Sequence, residues 1–292
     1  MVVSDLSRAR LLVVAAALAF STGGVAIKAC SLSGWQVASF RSGLAALFLL
    51  AFAPSARRLG GWRQLTVGMA YAATMVLFVL ANKLTTAANA IFLQSTAPLH
   101  LLILSPWLTR ERVRRRDLPV VASIALGLLL FFVGAPETQR TAPDPVAGNI
   151  IAALAGVSWA LTLLGLRGLS RGGEGRGLAA VTGGNVIAFL VALPAALTID
   201  PMPMTAGDVG LLVYLGVVQT GIAYIALTRG FRRVPAFEAS VLIVIEPALS
   251  PLWAWMVHGE RPRGEHLLGG GLIVGAAVFK SWLDTRRCEF EE

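Results

Sequence analysis

The sequence predicts an all-α polytopic membrane protein whose ten transmembrane helices form two inverted five-helix repeats. Of its 292 residues, 56% are hydrophobic and only 14% are charged, whereas soluble domains carry about 25% charged residues. The apolar runs are about 20 residues long, the length that a helix needs to cross about 30 Å of hydrocarbon. Two segments that lie 149 residues apart also read alike, which is typical of an internal repeat.

Ten apolar segments meet the length criterion, and the loops between them are too short to hold a soluble domain. They lie at about 10–29, 35–54, 63–81, 86–108, 117–135, 146–166, 178–198, 208–228, 236–257 and 266–284. We number them spans 1 to 10. Span 1 begins like a signal peptide, with Arg8 and Arg10 before it. It continues to Ala29 without a small-residue cleavage motif, so we expect it to be retained.

The loop charges predict that both termini are cytoplasmic. In this orientation 19 of the 25 Lys and Arg residues lie on the cytoplasmic side, five lie outside, and Arg41 lies within span 2. This positive-inside bias is typical of a multi-pass protein of the bacterial cytoplasmic (inner) membrane. The basic residues form short clusters between spans, so the net charge of +9 does not indicate a nucleic-acid partner.

The two similar segments predict the arrangement of the repeats. Residues 89–98 in span 4 correspond to residues 238–247 in span 9. The loop after span 4 is predicted to be cytoplasmic, whereas the loop after span 9 is predicted to be external. Residues 1–145 and 146–292 are therefore predicted to be repeats of opposite topology, an arrangement that places a substrate site at the repeat interface near the membrane midplane.

Pro98 and Pro247 occupy corresponding positions within spans 4 and 9. A proline removes one helical hydrogen bond and clashes with the carbonyl four residues before it, which here frees the carbonyls of Gln94 and Ile243. Free carbonyls are tolerated in a membrane only where another group satisfies them. The symmetric pair predicts a hinge in each half. An ordinary kinked helix is the alternative for either proline alone.

Two charged residues lie inside predicted spans. A carboxylate at the bilayer centre costs about 2.5–3.5 kcal/mol, so Glu246 should face protein or a water-filled cavity. It is either a substrate-ammonium or proton-coupling group, or a hydrogen-bonded structural carboxylate. Arg41 lies about two turns from the outer end of span 2 and is expected to snorkel to the interface. An ion pair across the bundle or a contact with a substrate carboxylate is the alternative.

Polar and aromatic side chains form stripes on four spans. They are Tyr71, Thr74, Met75, Phe78 and Asn82 in span 3; Asn89, Gln94, Thr96 and His100 in span 4; Ser158, Trp159 and Thr162 in span 6; and Gln219, Thr220 and Tyr224 in span 8. Such stripes suit an amphipathic zwitterion, and interhelical hydrogen bonding is the alternative for any single residue. The predicted substrate path is Tyr71, Phe78, Gln94, Thr96, His100, Trp159, Thr162, Tyr224 and Glu246.

The sequence predicts no catalytic, metal or cofactor site. Cys30 and Cys288 fall on opposite sides of the membrane, so no disulfide is expected. Three separated histidines and the lack of a G-x-S-x-G motif argue against an intramembrane enzyme. Gly271 and Gly275 form a G-x-x-x-G pair for close helix packing, either within the bundle or between protomers, so a monomer and a dimer both remain open.

The sequence resembles the EamA-type transporters of the drug/metabolite transporter superfamily. The resemblance rests on the Ala-Asn-Ala…Pro segment of span 4, Glu246-Pro247…Gly259-Glu260-Arg261…Gly269, Val157-Ser158-Trp159-Ala160 and Phe40-Arg41-Ser42. It covers nearly the whole chain and implies a ten-helix inverted-repeat fold with a central cavity lined mainly by spans 1, 3, 4, 6, 8 and 9.

Within that superfamily the chain is most similar to bacterial inner-membrane exporters of amino acids, including aromatic ones. The resemblance implies secondary export of aromatic and other neutral amino acids by alternating access, with the lipid bilayer and a small-molecule substrate as partners. Export of another metabolite or drug is the alternative within the superfamily. A channel would need rings of charge or carbonyl groups around a pore, and an inverted repeat fits alternation better.

Overall fold

A computed structural model of the protein describes residues 5–58, 60–97, 99–100, 118–130, 140–171, 175–198, 204–234 and 242–288. Every extended regular element in these ranges is helical. The helices are α1 (Asp5–Ser21), α2 (Gly23–Ala29), α3 (Gly34–Phe52), α4 (Trp62–Leu84), α5 (Ala87–Gln94), α6 (Leu118–Leu130), α7 (Pro145–Arg171), α8 (Arg176–Thr198), α9 (Ala206–Val213), α10 (Ala223–Gly230), α11 (Ile245–His258) and α12 (Gly264–Cys288). A 3₁₀ turn covers Pro54–Arg57, and a π-helix covers Tyr214–Ile222.

Six continuous helical stretches are long and apolar enough to cross a membrane. They are Asp5–Ala29, Gly34–Phe52, Trp62–Leu84, Pro145–Leu169, Arg176–Thr198 and Ala206–Gly230. They correspond to predicted spans 1, 2, 3, 6, 7 and 8. Leu118–Leu130 is a shorter apolar helix within predicted span 5. Parts of predicted spans 4, 5 and 9 lie outside the described residues.

The distribution of side chains is that of a protein surrounded by lipid. Large apolar side chains point outward, with Leu47 66%, Trp62 73% and Leu197 71% exposed. Polar side chains are instead buried between helices, including Arg41 and Asn185. An outward apolar surface on helices of this length identifies a polytopic membrane protein.

Contacts between helices of the two predicted halves come in corresponding pairs. In each pair, a helix of one half is replaced by its counterpart in the other half. α4 packs against α7, and the corresponding pair is α10 against α1. α5 packs against α7, and the corresponding pair is α11 against α1. α3 with α8, α5 with α11, and α6 with α12 are contacts between counterparts. A pseudo-two-fold arrangement of the halves would produce this pattern.

Glycine allows α4 and α8 to pack backbone against backbone. A Cβ atom added at Gly184 would lie 2.7 Å from the carbonyl oxygen of Gly68 and 2.6 Å from Cδ1 of Tyr71. No side chain larger than hydrogen fits there without a shift of one helix, and this close approach fixes the Tyr71 ring at the centre of the bundle.

The G-x-x-x-G pair of α12 faces away from the described bundle. A Cβ atom added at Gly271 or Gly275 would have no described atom within 4 Å, whereas one added at Gly270 would contact the ring of Phe92 at 2.6 Å. Close packing of α12 therefore uses Gly270 rather than the pair singled out from the sequence.

Candidate functional site

The centre of the bundle holds an aromatic pair formed by Tyr71 of α4 and Tyr224 of α10. Both residues are buried, and their ring centroids lie 5.0 Å apart in an edge-to-face arrangement. Phe20 of α1 packs against Tyr224 with a centroid distance of 5.0 Å. The Tyr71 hydroxyl accepts a hydrogen bond of 3.0 Å from Nδ2 of Asn185 on α8. Because α4 and α10 belong to different predicted repeats, this pair lies where the two halves meet.

The Arg41 side chain is buried beside the aromatic pair. Only 1% of its surface is exposed, so the expectation that Arg41 snorkels to the interface is wrong. Its Nη2 donates to Sδ of Met75 at 2.9 Å, and its charge interacts with Tyr71 and Tyr224. α4 and the π-helix pack over this part of α3 and separate the guanidinium from the lipid.

Glu246 lies in the first turn of α11 and is buried. It interacts electrostatically with Tyr224, the α10 member of the aromatic pair. Within the described part of the chain, no basic side chain forms an ion pair with it. The expectation that Glu246 faces protein or a cavity rather than lipid agrees with its burial.

A π-helix of nine residues runs from Tyr214 to Ile222 in predicted span 8. The sequence indicated only α-helical spacing here. π-helical segments pair residues five apart and often occur at functional sites. Gln219 and Tyr224 are five residues apart and both buried, and Oγ1 of Thr220 donates to Oε1 of Gln219 at 3.2 Å.

Helix α5 in span 4 ends at Gln94, a turn follows at Ser95 and Thr96, and helical conformation resumes at Ala97. Oγ1 of Thr96 donates to the Leu93 carbonyl at 2.6 Å and lies 3.1 Å from Nε2 of His100. Thr96 and His100 therefore share a face, as their spacing predicts. Oε1 of Gln94 is buried without a hydrogen-bond partner.

Of the two predicted hinge prolines, Pro247 lies in the described part of the chain. Pro98 lies outside the described residues. Pro247 is buried in the first turn of α11, directly after a break in the helix at Val244. The first hydrogen bond of that turn runs from the Ala248 amide to the Val244 carbonyl at 3.2 Å. A helix interruption thus accompanies Pro247.

The stripes of α4 and α7 meet inside the bundle. Oγ1 of Thr74 lies 3.2 Å from Oγ1 of Thr162, and Thr162 also donates to the Ser158 carbonyl at 2.9 Å. Phe78 and Trp159 are buried in the same hydrophobic core. These residues connect predicted spans 3 and 6 at the interface of the halves.

A second polar cluster, missed from the sequence, closes one end of the bundle. Nζ of Lys28 lies 3.3 Å from Oε1 of Glu260, and the two side chains are 3% and 2% exposed. Lys28 also donates to the carbonyls of Thr85, at 2.7 Å, and Thr141. Oε2 of Glu260 accepts from the Ala87 amide at 2.9 Å, at the N-terminus of α5. We call Lys28, Glu260, Thr85 and Thr141 the outer clamp, because all four lie at predicted outer loops or span ends.

Further bonds tie the neighbouring loops to the clamp. Oγ1 of Thr85 donates to Oδ1 of Asn149 at 2.7 Å. Lys83 donates to the Cys30 carbonyl at 2.6 Å, and the backbone and hydroxyl of Ser31 both donate to Asp208. Residues from all five predicted outer loops or their flanking helix ends therefore meet at one end of the molecule.

An apolar cavity of about 500 Å³ lies away from these clusters. It is lined by Phe40, Gly43, Leu44, Ala46, Leu47, Leu50, Val186, Phe189, Met204, Val209, Leu212 and Val213. Its apolar lining offers no group that would orient a charged ligand. Elsewhere in the described ranges, no three His, Cys, Asp or Glu side chains are grouped so as to hold a metal ion.

The fold and the buried polar centre define a polytopic helical membrane protein with the features of a transporter. A family model described as the EamA-like transporter family matches the chain twice, at residues 7–133 and 146–282. The matches include most of the chain, and the protein belongs to this family.

Characterised exporters are among the chain's relatives. It is 26% identical over 286 residues to the pseudopaline exporter CntI of Pseudomonas aeruginosa, an alignment that covers 95% of this chain and 97% of that protein. It is 26% identical over 247 residues to the threonine/homoserine exporter RhtA of Escherichia coli, covering 83% of this chain and 80% of RhtA. A solved crystal structure that is 22% identical superposes with a TM-score of 0.64 over 96% of this chain and 98% of its own. That structure supports the fold.

Proposed function

We propose that the protein is a secondary transporter that exports amino acids, both aromatic and other neutral ones, by alternating access. The observation that carries the proposal is the central site, where the Tyr71–Tyr224 pair, Glu246 and several hydroxyl and amide groups are buried inside a bundle whose outer surface is apolar. Apolar walls with a few placed polar groups match an amphipathic zwitterion. The similarity to RhtA, a threonine/homoserine exporter, supports an amino-acid substrate.

The predicted substrate path runs from this centre along three helical segments. Phe78, Trp159 and Thr162 extend it on α4 and α7, and Gln94, Thr96 and His100 extend it along span 4. Gln94 supports this assignment because its buried carbonyl oxygen lacks a hydrogen-bond partner, so a ligand polar group would satisfy it. Glu246 is the group we assign to the substrate ammonium or to a coupled proton.

Alternating access follows from the proposed inverted repeats, residues 1–145 and 146–292. The exchange pattern of helix packing supports this division, and so do the two separate family matches. Helix interruptions occur in the described parts of both spans 4 and 9, close to the proposed hinges Pro98 and Pro247. With cytoplasmic termini, the outer clamp would close the external end, so we assign the structure to an outward-closed state.

Export of a different metabolite is the second candidate, and the similarity to the pseudopaline exporter CntI favours it. In either case we place the protein in the bacterial cytoplasmic membrane, where it carries a small molecule without a cofactor. The proposal is compatible with either a monomer or a dimer.

An export assay in whole cells separates these candidates. Cells fed a dipeptide such as phenylalanyl-alanine release free amino acids internally, and an amino-acid exporter raises their appearance in the medium. Expression of the protein should increase the external phenylalanine or threonine relative to the Glu246→Gln variant. Equal release from cells with and without the protein, across a panel of dipeptides, would remove the amino-acid assignment.

A further inference from the structure

We propose that Arg41 is the binding site for a carboxylate group of the transported substrate. The inference rests on the proposed function and adds the chemical class of one substrate group and the residue that recognises it.

The guanidinium of Arg41 is buried with most of its donors unused. Nε and Nη1 have no hydrogen-bond partner, although neither is accessible to solvent. Nη2 has only the thioether sulfur of Met75, which is a weak acceptor. Buried charged donors are normally paired and hydrogen-bonded. An anion would satisfy these charged donors, and no Asp or Glu of the described chain pairs with Arg41 to supply one.

Lys28, a second cation with a buried side chain among the described residues, provides the contrast. Lys28 is also buried, but it has the Glu260 carboxylate and two backbone carbonyls as partners. At Lys28, which connects several helices, the protein itself supplies hydrogen-bond acceptors and a counter-charge. Arg41 lacks such partners, which indicates that its partner arrives from outside the chain.

The geometry around Arg41 fits a carboxylate. The planar guanidinium presents parallel N–H groups that bind a carboxylate through two hydrogen bonds. The neighbours that interact with its charge are the hydroxyl-bearing rings of Tyr71 and Tyr224, and Tyr224 in turn interacts with Glu246. Met75, the described contact of the guanidinium, lies one helical turn from Tyr71 on α4, so a carboxylate on Arg41 would bind close to the aromatic pair.

A substrate reaches Arg41 only if the two predicted repeats move relative to each other. The guanidinium is buried in this structure, and its contact Met75 belongs to α4, which packs against α7 of the other predicted repeat. A rocking motion of the repeats separates these two helices and exposes Nε and Nη1 to the substrate path.

The test compares acids with their amides in proteoliposomes that contain the full-length protein. Counterflow is measured for L-phenylalanine and L-phenylalaninamide, and for L-threonine and L-threoninamide, with wild type, Arg41→Gln and Arg41→Lys. Ser39→Ala is the matched control: Ser39 is buried on the same helix, but its hydroxyl donates to the Phe189 carbonyl at 3.1 Å. Size-exclusion elution of each variant reports folding.

We expect wild type and Ser39→Ala to prefer the acid over the amide. A charged hydrogen bond of this kind changes binding by about 10- to 100-fold. Arg41→Gln should lose that preference while amide counterflow remains, and Arg41→Lys should recover part of it by retaining the charge. Should Arg41→Gln fail to fold, the acid-to-amide ratio of Arg41→Lys alone decides, with a clear fall below wild type expected.

The outcomes separate the inference from the proposed function. Wild-type counterflow of amino acids combined with an unchanged acid preference in the folded Arg41 variants would overturn the carboxylate site and leave the exporter assignment intact. Equal wild-type counterflow of acid and amide would do the same. No counterflow of any amino acid by wild type would overturn the proposed function and this inference together.

Discussion

Removal of Lys28 from the outer clamp should shift the protein toward an outward-open state. In the closed structure Nζ of Lys28 lies 3.3 Å from Glu260 and also binds two backbone carbonyls. Lys28→Met leaves the Glu260 carboxylate buried without its cation. In an open state water solvates the same carboxylate, so the substitution penalises the closed state selectively.

The size of the shift follows from the burial of the pair. Removing one partner of a buried ion pair costs about 3–5 kcal/mol. A free-energy change of about 1.4 kcal/mol corresponds to a factor of ten in an equilibrium constant. The lower bound therefore predicts an increase of about 100-fold in the ratio of open to closed protein.

Cys30 is a native reporter for this equilibrium. Its side chain is 2% exposed and directly follows the helix that carries Lys28, and its thiol is free. Burial raises the pKa of the Cys30 thiol above its ordinary value, so the closed state protects it from reagents that attack the thiolate. With Cys288→Ser as background, the labelling rate by a membrane-impermeant maleimide in intact cells reports the open population.

Three variants control this experiment. Lys83→Met makes the same charge change near Cys30, but the described partner of Lys83 is the Cys30 carbonyl and not a carboxylate, so labelling should rise about tenfold or less. Lys28→Arg retains the cation and should label close to the wild-type rate. Lys28→Met/Glu260→Gln leaves no buried charge and should label more slowly than Lys28→Met. Equal labelling rates for wild type, Lys28→Met and Lys83→Met would refute the clamp.

Three further predictions concern the bundle and its centre. Glu246→Gln should abolish the stimulation of transport by a pH gradient while counterflow persists; a rate and pH dependence identical to wild type in proteoliposomes would remove Glu246 from coupling. Gly184→Ala should lower stability in detergent by about 1–3 kcal/mol through overpacking, whereas Gly271→Ala, which meets no described atom, should leave the melting temperature unchanged. Asn185→Leu should cost about 1–3 kcal/mol because the buried Tyr71 hydroxyl loses its donor; chemical denaturation measures the loss, and a change below about 0.5 kcal/mol would contradict the importance of this bond.

Helical periodicity predicted the buried faces correctly. Tyr71, Thr74, Met75, Phe78 and Asn82 are all buried, because positions three and four residues apart share one side of a helix. The same logic placed Thr96 beside His100. Such features depend on a single helix, so the local sequence is enough to predict them.

Contacts between distant helices could not be predicted in this way. Hydropathy gives the depth of Arg41 in its span, but its burial depends on α4 and the π-helix, which are remote in sequence. Lys28 and Glu260 come from opposite halves of the chain, and only the folded bundle brings them together. Both residues looked like ordinary charges at or near the outer ends of spans.

The π-helix was missed for a different reason. It changes the number of residues per turn without changing the composition of the segment, so hydropathy patterns do not reveal it. Its described effect is local, since Gln219 and Thr220 within it are both buried and hydrogen-bonded to each other.

Counterflow in proteoliposomes tests the central claim most directly. Purified protein is reconstituted, the liposomes are loaded with unlabelled phenylalanine, threonine or another neutral amino acid, and entry of the radiolabelled amino acid is followed. We predict a saturable, transient accumulation that protein-free liposomes lack and that unlabelled substrate outside competes away. Absence of counterflow for every amino acid tested, from protein that elutes as a folded species, would contradict the account.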